Sequence, residues 1–77
     1  MEYYVLTQSG REAMPVLRQA EKNDEANILE YLGKADGATV EQVADEMHLD
    51  KKTVYDKLRS LSANRWVWRK ITKVTAF

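Results

Sequence analysis

Cysteine is absent from the 77 residues, which excludes a disulfide framework, a thiolate metal site and a thiol nucleophile. The fold must be held by packing. Glycine occurs three times and proline once, so the chain contains neither a glycine-rich phosphate cradle nor a glycine–serine linker. The single histidine, His48, stands near Asp45 and Glu46, but one imidazole assembles neither a metal site nor an oriented nucleophile, and a turn role suits it better. Asp45 and Glu46 are adjacent on a helix and point in different directions, so they do not share a substrate proton. Apolar runs are only a few residues long, and Met1, Glu2, Tyr3 and Tyr4 lack the basic-then-apolar order of a secretory signal. These absences point to a soluble, cytoplasmic protein that is not an enzyme, takes no cofactor or metal, and has no membrane partner.

An apolar fraction of 44% with 31% charged residues lies within the globular range, so the chain is expected to fold, and its length allows one small domain. Net charge is zero, but its distribution is lopsided. Residues 1–50 carry four basic against eleven acidic side chains, a net of −7, whereas residues 51–77 carry eight against the single acid Asp56, a net of +7. Such separation gives the fold an acidic and a basic side, and a basic side is the footprint expected for a polyanionic partner.

Residues 3–7 (YYVLT) read as a short strand, and a helix is expected to start at Thr7 or Ser9, where Ser9 and Glu12 have capping-box spacing. Pro15 should break it into a short turn of helix and a fresh start. Asn23 or Asp24 caps the next helix, which runs to about Lys34 with Ile28, Leu29 and Leu32 as its stripe and ends at Gly33 or Gly37. Thr39 caps a helix stopping near Met47, with Val40, Val43, Ala44 and Met47 at helical spacing. Asp50 caps another, to about Ala63, whose stripe is Val54, Leu58 and Leu61. After Asn64 the period alternates, with Trp66, Trp68 and Lys70 on one side and Val67, Arg69 and Ile71 on the other, which predicts a strand pair turning near Thr72. At least one of the two tryptophans is expected to close the core, and Tyr3, Tyr4 and Tyr31 to pack with their hydroxyls toward solvent.

The stretch TVEQVADEMHLDKKTVYDKLRSL, residues 39–61, resembles the winged helix-turn-helix superfamily, and the resemblance extends over residues 24–77. Ala44, Leu49 and Asp50 stand where that family has a close-packing alanine, a buried turn leucine and a polar cap, and Val54, Leu58 and Leu61 match its buried positions. The resemblance implies a mainly α fold with a small β-sheet: a three-helix core over residues 24–63, a wing over 66–77, and an N-terminal strand and short helices over 1–22. Two departures stand out. His48 replaces the usual turn glycine and would have to approach a left-handed conformation, and the wing tip lacks a glycine-rich or basic loop, so minor-groove reading by a long wing is not expected. The opening YYVLTQSGRE looks like the segment that follows the wing in relatives, moved to the front, where it would supply a third strand.

The resemblance implies double-stranded DNA binding and transcriptional regulation, with helix 50–63 in the major groove. Its candidate contacts are Lys51, Lys52, Thr53, Tyr55, Asp56 and Arg59, extended by Arg65, Arg69, Lys70 and Lys73 on the wing. Arg59 suits a guanine edge, Tyr55 offers a hydroxyl or an aromatic face, and Lys51 and Lys52 suit phosphates. A domain of this size reads few base pairs, so a homodimer on a two-fold site or a larger host protein is implied, with the first strand, the helix from Arg11 and the acidic helix as self-association surfaces. A bare winged domain offers no pocket for a small-molecule effector. Two other classes stay open: a protein-interaction or assembly module, which zero net charge supports, and an RNA-contacting accessory domain.

Overall fold

The computed structural model describes residues 2–71. In chain order these form β1 (Glu2–Leu6), α1 (Gln8–Gln19), α2 (Asn23–Ala35), α3 (Val40–Met47), α4 (Lys51–Ala63) and β2 (Val67–Ile71). The molecule is mainly helical with a small antiparallel sheet, as the sequence led us to expect. β1 pairs with β2 from Glu2 opposite Ile71 to Leu6 opposite Val67. On the other edge of β1, Tyr4 and Ala38 exchange two backbone hydrogen bonds of 2.8 and 2.9 Å. The N-terminal strand therefore pairs with β2 on one side and makes a single bridge to Ala38 on the other. The expected turn near Thr72 and the strand after it, with Lys73, lie outside the described residues.

The core forms where the apolar stripes meet. Ile28, Leu29 and Leu32 of α2, Val43 and Ala44 of α3, and Val54, Leu58 and Leu61 of α4 are buried, joined by Leu17 of α1, Tyr4 of β1 and Val67 of β2. Each large aliphatic side chain removed from water this way contributes roughly 1.5–3 kcal/mol.

Local capping defines the pair α3 and α4. The Thr39 hydroxyl accepts the Gln42 N–H while the Gln42 side chain accepts the Thr39 N–H, a full capping box. α3 stops at His48, whose backbone is left-handed at φ 56°, with the N–H groups of His48 and Leu49 both donating to the Ala44 carbonyl. Half-buried Leu49 packs on the core. Asp50 then accepts the Thr53 N–H at 3.2 Å and its hydroxyl at 2.6 Å, opening α4.

Other expectations need correction. α1 runs unbroken through Pro15. The proline is exposed, so the Arg11 carbonyl it leaves without an intrahelical donor lies on the wet side, while Gly10, Ala13 and Leu17 anchor the helix from below. Of the two starts expected for α1, Thr7 is the cap, accepting the Gly10 N–H at 3.0 Å, and Ser9 lies within the helix. α2 begins after Lys22, which makes no side-chain capping bond, and Asp24 and Glu25 occupy its first turn, where the helix dipole favours acids. It ends not on a glycine but on left-handed Asp36, followed by Gly37 at φ 109°. Trp66 and Trp68 do not share an environment. Trp66 donates its N–H to the Leu61 carbonyl in the C-terminal cap of α4 and packs half-buried on the core, whereas alternation starts only at Val67 and leaves Trp68 65% exposed.

Candidate nucleic-acid interface

Helical geometry sorts the side chains of α4. With Val54, Leu58 and Leu61 facing inward, the exposed residues Lys52, Asp56 and Arg59, spaced by four and three, share the outer face. Tyr55 flanks them, 39% exposed, and the Arg59 guanidinium carbon lies 6.0 Å from the centre of its ring. That distance is at the reach of a cation–π contact, which restrains an otherwise flexible arginine. Lys57 points elsewhere, to a half-buried ion pair with Glu25 at 3.1 Å that ties α4 to α2.

Arg69 of β2 joins this surface. It lies opposite Tyr4 in the sheet, and strand alternation puts both on the face turned toward α4. Tyr4, Tyr55, Arg59, Ser62, Ala63 and Arg69 line a shallow groove of about 300 Å³. Burial is the main cause that pushes the Tyr4 phenol up to about 12, and the hydrogen bond it donates to the Glu2 carboxylate at 3.0 Å adds to this. A second, larger cleft of about 660 Å³ shares Ser62 and Arg69 with the first and is further lined by Thr7, Gln8, Ser9, Arg65, Val67 and Trp68. Arg59 lines the first of these pockets, Arg65 the second, and Arg69 both.

The remaining candidates are placed differently. Lys70, opposite Tyr3, projects from the other face of the sheet with Trp68. Lys51 is exposed but reaches Glu41 of α3 at 3.5 Å, and Arg69 reaches Glu2 at 4.0 Å. Both pairs are solvent-exposed and weak. The Thr53 hydroxyl is engaged by Asp50, whose carboxyl is held below the usual carboxylate range first by that hydroxyl and then by the Thr53 N–H. The Thr53 hydroxyl is thereby held in the N-terminal cap that Asp50 forms. Lys73 lies outside the described residues.

Gln8, Ser9 and Ser62 were not anticipated as lining residues, because nothing local to them signals that the start of α1 meets the end of α4. Among the described residues no group of three or more His, Cys, Asp or Glu side chains is placed to hold a metal ion, and no helix is long and apolar enough to cross a membrane. No protein family model, no curated protein and no solved structure matches the chain.

Proposed function

We propose that this chain is a winged helix-turn-helix domain that binds double-stranded DNA as a transcriptional regulator, with α4 as its recognition helix. The observation that carries this reading is the outer face of α4: Lys52, Asp56 and Arg59 in one exposed row, with Tyr55 at its side and Arg69 across the groove. A helix about 10–12 Å across fits a B-form major groove about 12 Å wide. There the planar Arg59 fork matches guanine O6 and N7, and the Asp56 carboxylate can accept from a cytosine amine. Lys51 and Lys52 at the helix start, and Arg65 and Arg69 beyond its end, meet phosphates in this reading. Regulation then works by occupancy, with a homodimer or a larger host protein supplying the length of site that one domain lacks.

The test is binding of a fluorescently labelled, mixed-sequence duplex at two salt concentrations. Four phosphate contacts give a log–log salt slope of about −4, and hence a roughly hundredfold loss of affinity between about 50 and 200 mM salt. Binding that ignores salt, or none at low salt, overturns the reading.

A further inference from the structure

The cleft beside β2 has chemistry of its own. Its volume of about 660 Å³ falls within the range of roughly 300–1,000 Å³ typical of ligand sites. Trp68 presents an indole that is 65% exposed, a large apolar surface left in water. Arg65 and Arg69 bring two guanidinium groups, Gln8 and Ser9 add an amide and a hydroxyl, and among the described residues no acidic side chain lines the cleft. Glu2 reaches Arg69 only as an exposed pair at 4.0 Å, which an incoming anion can displace. An aromatic ring, two guanidinium groups and neutral hydrogen-bonding groups along one cleft are the complement of a nucleotide, whose base stacks on the ring while its phosphates meet the arginines.

A base within a duplex cannot use such a site. Its faces are covered by its stacked neighbours, and only its edges are open in the grooves. Trp68 can stack only on a base that has left the helix. The cleft also adjoins the groove on α4 through Ser62 and Arg69, so a strand leaving a duplex held by α4 has a short path into it.

We propose that the Trp68 cleft takes one unpaired nucleotide beside the duplex, so that the preferred ligand is DNA in which double strand gives way to single strand. This rests on α4 being the duplex-binding helix. The test measures affinity of the full chain for a blunt duplex, for the same duplex with a short oligothymidine overhang, and for free oligothymidine, and follows Trp68 emission in the variant W66F. Stacking of one base on one aromatic ring predicts about tenfold tighter binding of the overhang duplex, with quenching of Trp68. The variant W68A, altered at an exposed position, should bind both duplexes at the blunt-duplex affinity. Equal affinity of the wild-type chain for the two duplexes overturns this proposal and leaves the α4 reading intact, as does an overhang preference that survives in W68A. Quenching of Trp68 by free oligothymidine and by the overhang duplex at equal affinity, with no binding of the blunt duplex, has the opposite meaning: the nucleotide site stands, while the α4 reading and the junction preference built on it fall.

Discussion

A Cβ atom on Gly10 would stand 2.1 Å from the carbonyl oxygen of Trp66. The first turn of α1 and the residue that leads into β2 are therefore in a backbone contact that only glycine allows. Thr7 fastens the same junction, its N–H donating to the Trp66 carbonyl at 3.1 Å and its hydroxyl lying 2.7 Å from the Arg65 carbonyl oxygen. The walls of the Trp68 cleft come from both sides of this junction.

Replacing Gly10 with alanine should therefore cost about 3 kcal/mol, because the obstructing atoms are backbone and cannot rotate away. A domain of this length has roughly 4–11 kcal/mol in total, so the urea midpoint should fall steeply. An unchanged midpoint would mean that α1 does not sit this close to Trp66.

Pro15 removes one hydrogen bond from the interior of α1. The variant P15A restores a donor for the Arg11 carbonyl and should raise stability by about 1–3 kcal/mol, offset in part by the greater freedom of the unfolded chain. Urea unfolding reads this directly, and a loss of stability would show that the proline fits a bend the packing requires.

Among the described residues, four that are not glycine take left-handed backbone angles just after helices: Glu21 (φ 61°), Asp36 (φ 56°), His48 (φ 56°) and Arg65 (φ 61°). Each costs about 1 kcal/mol relative to glycine. Glu21 is exposed and remote from the candidate interface, so E21G should raise the unfolding free energy by up to about 1 kcal/mol and leave DNA affinity unchanged. A destabilised E21G would show that its side chain contributes more than its backbone costs.

Stability should depend on pH at both ends: the Tyr4 phenol, raised from 10.0 to about 12 mainly by burial, gives a contribution that is lost as pH rises above 10.0, and three carboxyls act on the acid side. Partial burial alone would raise the Glu25 carboxyl, but its own backbone N–H and Lys57 outweigh this and hold it below its ordinary 4.5. Lys34 and then Arg18 lower Glu30 from 4.5, and Asp50 lies below its ordinary 3.8. A carboxyl depressed in the folded state stabilises fully above its unfolded value, and that contribution is lost as pH falls through the folded one. Urea midpoints should thus hold from pH 7 to 5 and decline below about 4. Because Glu25 is the shielded member of the three, the decline should be shallower in E25Q, and an unchanged slope would remove the Glu25–Lys57 pair from the account.

Base-edge and phosphate contacts are separable by mutation. R59A should cost about 1–3 kcal/mol on a preferred duplex and flatten discrimination between sequences, whereas K52A should weaken all duplexes alike and reduce the salt slope by about one. The reverse pattern would exchange their roles, and no effect from either would remove α4 from the interface.

Residues 39–63 were legible from the sequence because their signals are local. The caps at Thr39 and Asp50 act over three residues, the stripe Val54, Leu58 and Leu61 repeats within one helix, and the left-handed turn at His48 follows from where those helices end and begin. Elsewhere local signals misled. Pro15 reads as a breaker until packing on α2 holds the helix together, and Ser9 with Glu12 has the spacing of a cap that Thr7 supplies instead.

What the chain determined on its own was the helical core and the chemistry of the outer face of α4, since period and capping depend on neighbours a few residues away. Only the tertiary structure decided that the first strand pairs with β2 on one side and meets Ala38 on the other, that Trp66 packs inward while Trp68 stays in water, and that Arg69 lines two neighbouring pockets, one with Arg59 and one with Arg65. Those outcomes depend on backbone contacts between distant parts of the chain, such as Gly10 with Trp66 and Tyr4 with Ala38, which no local pattern encodes.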